Sequence, residues 1–303
     1  MTKISLHADD SNMRLDKFLV EKLFDHSRSY IQGLIKDGLI TVNGKVVKAN
    51  YILNLNDEII IEIPPVTEMN VEAEDIPLDI LYEDEDILVI NKPKGMVVHP
   101  SYGHATGTLV NAILFHCRGQ LSGINGVSRP GIVHRIDKDT TGSMVVCKND
   151  SAHQNLAAQF KDHTITRLYE AVVIGNFPQE EFTIDAPIGR HHVDRKKMST
   201  RSKSSREAIT HCKVVERFSN YTQLACSLET GRTHQIRTHL ASIGHPILGD
   251  IVYGSGKNPF KLEGQTLHAK VLGFHHPSTK EYMEFQAPLP AYFLSLLEKL
   301  RKY

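Results

Sequence analysis

The stretch GIVHRIDKDTTGSMVV, which begins at Gly131, sets His134, Arg135, Asp137, Lys138 and Asp139 between the apolar pairs Ile132-Val133 and Val145-Val146. Polar groups inside a core are costly unless they are paired, so such a cluster marks a place where ionisable side chains are fixed for a purpose. Three chemistries can be weighed against it. A serine hydrolase carries its nucleophile on a strained GxSxG elbow, and TTGSM is not one. A glycosidase sets two carboxylates several ångströms apart across a bond, whereas Asp137 and Asp139 stand two apart on what reads as a turn. The third is a single nucleophilic or basic carboxylate steadied by an arginine. An isolated aspartate here would more simply hydrogen-bond its own turn, so the arginine decides between function and structure.

A matching arginine lies downstream, in ETGRTHQIRTHLASIGHPILGD. Its spacing predicts a helix capped by Thr233, with Ile236, Leu240 and Ile243 on the apolar face and Gly244 and Pro246 ending it. Arg237 then sits beside the buried stripe. An arginine there serves as a structural ion-pair partner, and next to a buried aspartate it also holds that group ionised and directed. One residue can do both.

The elements that must position these groups fall into two sets. With 303 residues and 41% hydrophobic content, the chain can bury one large core and one small one. MRLDKFLVEKLF places Leu15, Phe18, Leu19 and Leu23 at helical spacing, and SYIQGLIKDG does the same with Tyr30, Ile31, Leu34 and Ile35. LITVNGKVVK then puts Asn43-Gly44 between β-branched runs, a two-residue hairpin signal, and DEIIIEI adds a strand. Pro64-Pro65 closes this unit, and the acidic TEMNVEAEDIPLD reads as a linker. Beyond it, DILYEDEDILVINKP reads as a hairpin, DSAHQNLAAQF as a helix, and TRLYEAVVIG, AITHCKVVERF and YTQLACSLET as strands. The expected class is α+β: a helix-helix-hairpin domain over residues 1–64, an acidic linker over 65–75, and over 76–303 a larger domain with a mostly antiparallel mixed sheet flanked by helices.

The net charge of zero conceals a strong asymmetry. Residues 1–64 carry 8 Lys/Arg against 9 Asp/Glu, residues 65–90 none against 9, and residues 91–303 carry 27 against 17. The basic run RHHVDRKKMSTRSKSSR from Arg190 to Arg206 is either a solvated loop or one that tracks phosphates. No apolar run is long enough to span a membrane, and MTKISLHADD lacks the apolar stretch of a signal peptide, which points to the cytoplasm. Cys117, Cys147, Cys212 and Cys226 form no CxxC pair, and the seventeen histidines have no completing carboxylate or cysteine spacing, so no metal site is expected. In PSYGHATGTLVNAILFH, the stretch from Gly103 to Thr108 would either bind phosphate or simply cap a helix.

HRIDKDTTG, then RLYEAVV, then GRTHQIRTHLASIGHPILGD, together with VINKPKGMVVHP, resemble the RluA-type pseudouridine synthases over nearly the whole chain. Ile136 and Thr141 stand where the family usually has Leu and Ser. RLDKFL…ITVNGKVV resembles the αL RNA-binding module shared by a small-subunit ribosomal protein and tyrosyl-tRNA synthetases. The resemblance implies an enzyme that isomerises uridine in structured RNA, large-subunit ribosomal RNA above all, without a cofactor and as a monomer. It makes Asp137 the catalytic aspartate, with Arg237 pairing to it, Tyr169 stacking on the uracil, Ile236 walling the pocket and Arg135 entering the RNA as the target nucleotide leaves the stack. Arg14, Lys17, Arg28, Lys36 and Lys45 would face RNA phosphates. A non-catalytic RNA-binding assembly factor and a carboxylate-based nucleosidase are the rival readings; a binder has no use for Asp137, Tyr169 and Arg237 together, and a nucleosidase would release free uracil.

Overall fold

In the computed structural model, which describes all residues except 1, 24–27, 64–70, 101–103, 119, 125, 127, 128, 195, 255, 257 and 303, the chain divides into units of residues 1–69 and 70–303. The first unit is built on two alternating apolar strands from its opposite ends. β1 (Thr2–His7) pairs antiparallel with β4 (Glu58–Ile63), setting Ile4 opposite Ile61 and Leu6 opposite Ile59. Between them run α1 (Leu15–Lys22), α2 (Arg28–Lys36), β2 (Ile40–Val42) and β3 (Lys45–Val46), in the sheet order β1-β4-β2-β3. Asn43 and Gly44 have φ of 49° and 73°, the left-handed pair that matches a two-residue turn to strand twist. Leu15, Phe18, Leu19, Ile31, Leu34 and Ile35 bury against Ile40, Leu53, Ile59 and Ile61, while Tyr30 stays exposed. β1 was not read from MTKISLH, although Ile4 and Leu6 alternate there with polar residues; its pairing with β4 makes the pattern a strand.

The second unit runs β5 (Ile80–Glu83), β6 (Ile87–Lys92), α3 (Leu109–His116), β7 (Thr141–Cys147), α4 (Asp150–Lys161), β8 (Thr166–Ile174), β9 (Glu181–Asp185), β10 (Ile188–Arg190), β11 (Met198–Ser199), β12 (Ser205–Arg206), β13 (Ile209–Arg217), β14 (Tyr221–Leu228), α5 (Gln235–Ser242), β15 (Leu267–His275), β16 (Tyr282–Gln286) and α6 (Ala291–Lys302). Its main sheet has the order β5-β6-β7-β15-β8-β14-β13-β9, with β16 also on β15. The ladders are antiparallel except where Thr141 and Gly142 of β7 meet His268 and Ala269 of β15 in parallel. Gly142 has φ 114° there, and a Cβ on it would lie 2.2 Å from the Ala269 carbonyl oxygen, so this approach demands glycine. The continuous apolar runs of β6 and β7 are explained by burial on both faces. Leu88, Ile90, Met144 and Val146 pack on Leu109, Val110 and Ile113 of α3, and Ile87, Val89 and Val145 on Ala152 and Leu156 of α4. β8 is likewise two-sided, with Ala171 and Val173 against Ile236 and Leu240 of α5 and Val172 against Phe293 and Leu297 of α6.

Three expectations need correction. Residues 71–79 pack as part of the larger unit: Val71 and Leu78 join the core under α3, and the Glu74 carboxylate accepts from Gly107 N at 3.0 Å. That contact, with a capping box between Thr108 and Asn111, makes the Gly103–Thr108 stretch a helix cap with its leading amide already engaged; 101–103 lie outside the described residues. The basic run is mostly turn and coil among its described residues, but short strands anchor it: Gly189 of β10 pairs with Ser199 of β11 and Ser205 of β12. Finally, Thr233 does not cap α5. The N-cap is His234, left-handed at φ 55° and without a side-chain cap bond, and Ile243 is exposed rather than on the buried face.

Candidate active site

Between Ile132, which bridges to Val146, and β7, the chain turns through the polar cluster. The turn closes with Thr140 N donating to Asp137 O at 3.1 Å. Lys92, at the end of β6 and fully buried, donates its three ammonium hydrogens to the carbonyls of Pro93 (2.8 Å), Met96 (2.9 Å) and Lys138 (3.0 Å), tying the loop from beneath. Burial pushes the Lys92 ammonium down to about 7, against the pull of Asp139 and Asp137. His134 stacks on Phe160 with ring centroids 4.6 Å apart, and its Nε2 accepts from Val145 N at 3.0 Å. Burial, aided by Arg167, pushes it down to about 3, so it is a neutral strut. Arg135 and Lys138 are exposed.

Asp137 is thereby presented to Arg237 from α5, one hundred residues away in sequence. Arg237 Nη1 donates to Asp137 Oδ2 at 2.8 Å, while Nε and Nη2 donate to Asp250 Oδ2 and Oδ1 at 2.7 and 3.0 Å. Asp250 is held in turn by Val252 N and Tyr253 N at 2.8 and 3.0 Å. The Asp250 side chain is 0% exposed, Arg237 5% and Asp137 19%, so the chain of charges runs from the interior outward and ends on the carboxylate that reaches solvent. Burial works against both inner charges. Hydrogen bonds and charge from Arg237 nonetheless hold the Asp250 carboxyl below its ordinary range, and the two carboxylates raise Arg237. The Tyr253 ring faces the guanidinium at 5.3 Å, and its hydroxyl meets His234 Nδ1 at 3.0 Å and accepts from Met198 N at 2.7 Å. His234 Nε2 lies 3.7 Å from Asp137 Oδ1, and burial lowers the imidazole's pKa against the pull of that carboxylate.

A cleft of about 370 Å³ opens on Asp137, with Arg135, Tyr169, Leu228, Ile236 and Arg237 in its walls. The five residues singled out in the second domain are thus gathered around one space. Tyr169 enters from β8, between Cys226 and Ala269 of its neighbours, and burial raises its pKa, keeping it a neutral phenol. Lys92, His234 and Asp250 were given no role by sequence reasoning, although each lies within a quoted motif. The available signal was a lysine before Pro93 at a strand end and an aspartate closing the phrase that contains Arg237.

In the first unit, Lys17, Lys36 and Lys45 are exposed. Arg14 is not a free cation: Nε and Nη2 grip the buried Asp16 at 2.9 and 3.0 Å. The Arg28 side chain lies outside the described residues. Lys36 shares a surface groove of about 1160 Å³ with Lys48, Gln32 and Tyr51.

The larger unit thus carries an arginine-paired carboxylate beside an aromatic wall on a mixed sheet, and the chain adds a small helix-hairpin unit. The family model of RNA pseudouridylate synthases matches residues 86–242, and that of the S4 domain residues 13–59. The chain is 52% identical to the uncharacterized RNA pseudouridine synthase YlyB of Bacillus subtilis (strain 168), over 99% of this chain and 98% of that one. It is 45% identical to the ribosomal large subunit pseudouridine synthase D of Pseudomonas aeruginosa, over 95% and 92%. Human RNA pseudouridylate synthase domain containing 1 shares the fold, with a TM-score of 0.59 at 24% identity over 76% of this chain and 97% of that one. The chain therefore belongs to the RNA pseudouridylate synthase family, in its RluA type, and is an isomerase acting on RNA.

Proposed function

We propose that the chain converts uridine to pseudouridine in large-subunit ribosomal RNA, with Asp137 as the reactive carboxylate and the target uridine turned out of its stack. The observation that carries this reading is the chain Asp250–Arg237–Asp137, which ends at a cleft walled by Tyr169 and Ile236. In the isomerisation the N1–C1′ bond breaks and a C5–C1′ bond forms, while C5 loses a proton and N1 gains one. Nothing is oxidised and mass is unchanged. What the site must supply is a fixed carboxylate at the sugar or base and a surface that retains the uracil while it turns. Tyr169 offers the face, Ile236 the wall, and the exposed Arg135 a side chain to fill the vacated stack, offsetting the few kcal/mol that flipping costs. Lys17, Lys36 and Lys45 of the first unit would meet RNA phosphates. The same reading has the chain act as a monomer in the cytoplasm. Relatives named as ribosomal large subunit enzymes support the choice of RNA.

The test compares ribosomal RNA from cells with and without the gene by carbodiimide-dependent primer-extension stops, then adds back purified chain. At least one large-subunit stop is expected to vanish with the gene and return with the wild type. Asp137→Asn keeps the volume and loses the charge, so it should bind RNA within about twofold of wild type yet restore no stop. Turnover by a folded Asn variant would remove Asp137 from the chemistry, and release of free uracil would make the enzyme a nucleosidase.

A further inference from the structure

A second cleft, of about 1000 Å³, adjoins the first and shares Asp137, Tyr169 and Arg232 with it. Its own residues include Phe160, His163 and Arg167. Arg167, two residues before Tyr169 on β8, is more than nine-tenths buried. Nη2 donates to the Glu229 carbonyl at 2.9 Å, and the guanidinium stands 5.9 Å from the Phe160 ring centre. Nε is buried with no hydrogen-bond partner, and no bond is made by Nη1 among the described residues. Among the described residues no carboxylate pairs with it. The Glu229 side chain is turned to His211 at 2.6 Å, and Asp137 is taken by Arg237. Gly231 leaves Nη1 its room, since a Cβ there would come within 2.4 Å of that nitrogen. The cleft therefore has Arg135, Arg167 and Arg232 in its walls against one carboxylate that is already paired.

A buried guanidinium with unfilled donors, facing a cavity of excess positive charge, is a site waiting for an oxyanion. We propose that this cleft is a second RNA subsite, in which Arg167 and Arg232 hold a backbone phosphate next to the nucleotide bound at Asp137. The proposal rests on the reading of the first cleft as the uridine site. Arg167 acts as a positioning residue: it anchors the strand while the base is handled one residue away. Arg232 is half-buried at the rim, where Nε donates to the Glu207 carbonyl at 3.0 Å, leaving the far end of its guanidinium for the same anion.

The test is binding of a single-stranded oligouridylate to the full chain over a series of salt concentrations, with each variant's fold checked by its melting transition. One lost phosphate contact flattens the plot of log K against log salt by about 0.7 for single strands. Arg167→Gln should show that flattening together with roughly tenfold weaker binding at low salt. Gly231→Ala keeps every charge and pushes the guanidinium aside, so it should weaken binding in the same direction and serves as the variant of record if Arg167→Gln does not fold. An unchanged slope and affinity overturns the subsite. So does weaker binding at an unchanged slope in Arg167→Gln, because a merely structural defect releases no fewer counterions. Since turnover is not measured, ribosomal RNA that gains no pseudouridine from this chain would sink the proposed function and leave the subsite standing.

Discussion

Arg237 divides one guanidinium between two carboxylates, and the division sets how each would fail. Asp250 is the inner anchor and fully buried, so Asp250→Ala leaves the buried Arg237 with one of its two carboxylate partners. Breaking a buried pair in this way should cost about 3–5 kcal/mol, read as a lower urea midpoint at an unchanged m-value. A variant as stable as wild type would show that Asp137 alone suffices to hold the arginine. Tyr169 is tested differently. Tyr169→Phe keeps the stacking face, worth roughly 1–3 kcal/mol per base, and should raise KM far less than Tyr169→Ala does. Equal damage from both would shift the weight to the phenol and to proton transfer. At this scale Asp137 and Arg237 stood out in the sequence from their motifs and Tyr169 through the family resemblance, and the structure gathers the three at one cleft. The sequence did not show Asp250, Lys92 or His234 as parts of the site, because their roles depend on who meets whom across the fold. Lys92 serves through carbonyls, which leave no trace in residue types.

The element that carries the site is the loop entering β7, and its weak point is acid. His134 is held near 3 and His99 near 4 mainly by burial, both below the ordinary histidine value of about 6.5. The unfolded chain binds more protons than the folded one across that interval. Stability from these groups is thus complete above about pH 6.5 and falls as pH drops toward 4, by at most about 1.4 kcal/mol per pH unit for each. Calorimetry should give a lower melting temperature at about pH 5 than at about pH 7.5, and His134→Gln, which retains an acceptor for Val145 N, should shrink the difference. An unshrunk difference would assign the acid sensitivity elsewhere. Helices α1, α2, α4 and α5 and strands β4, β5, β6, β8, β13 and β14 were legible from their period and composition, and β2 and β3 from the turn between them, whereas β7, β9, β15, β16 and α6 were not read from the sequence. Nor was the start of α5: a Thr before a periodic run signals a cap, yet His234 takes a left-handed conformation and points its ring toward Tyr253. A local rule yielded to the site.

For the whole molecule, the division into units of residues 1–69 and 70–303 predicts separable duties. The larger unit contains the Asp137 cleft and its own cores, and residues 91–303 carry an excess of ten positive charges. Deleting residues 1–69 should leave turnover at saturating RNA within about threefold of wild type while weakening affinity for the natural target, and the truncated chain's binding should fall steeply with salt. A folded, RNA-binding truncation that cannot turn over at any concentration would make the first unit part of the active conformation. The acidic segment misled as to where the larger unit begins, because composition cannot show that Glu74 is answered by the amide of Gly107. The parallel stitch of Thr141 and Gly142 onto His268 and Ala269 has a further consequence, for the growing chain. As the polypeptide leaves the ribosome, β6 and β7 can pair at once, but β15 arrives more than a hundred residues later. Contacts of such long range close late and set the pace of folding. The half of the sheet that presents Asp137 is therefore joined to the half that carries Arg237 only when nearly the entire chain has been made, and on the proposed role of Asp137 a nascent fragment would have no means of modifying RNA.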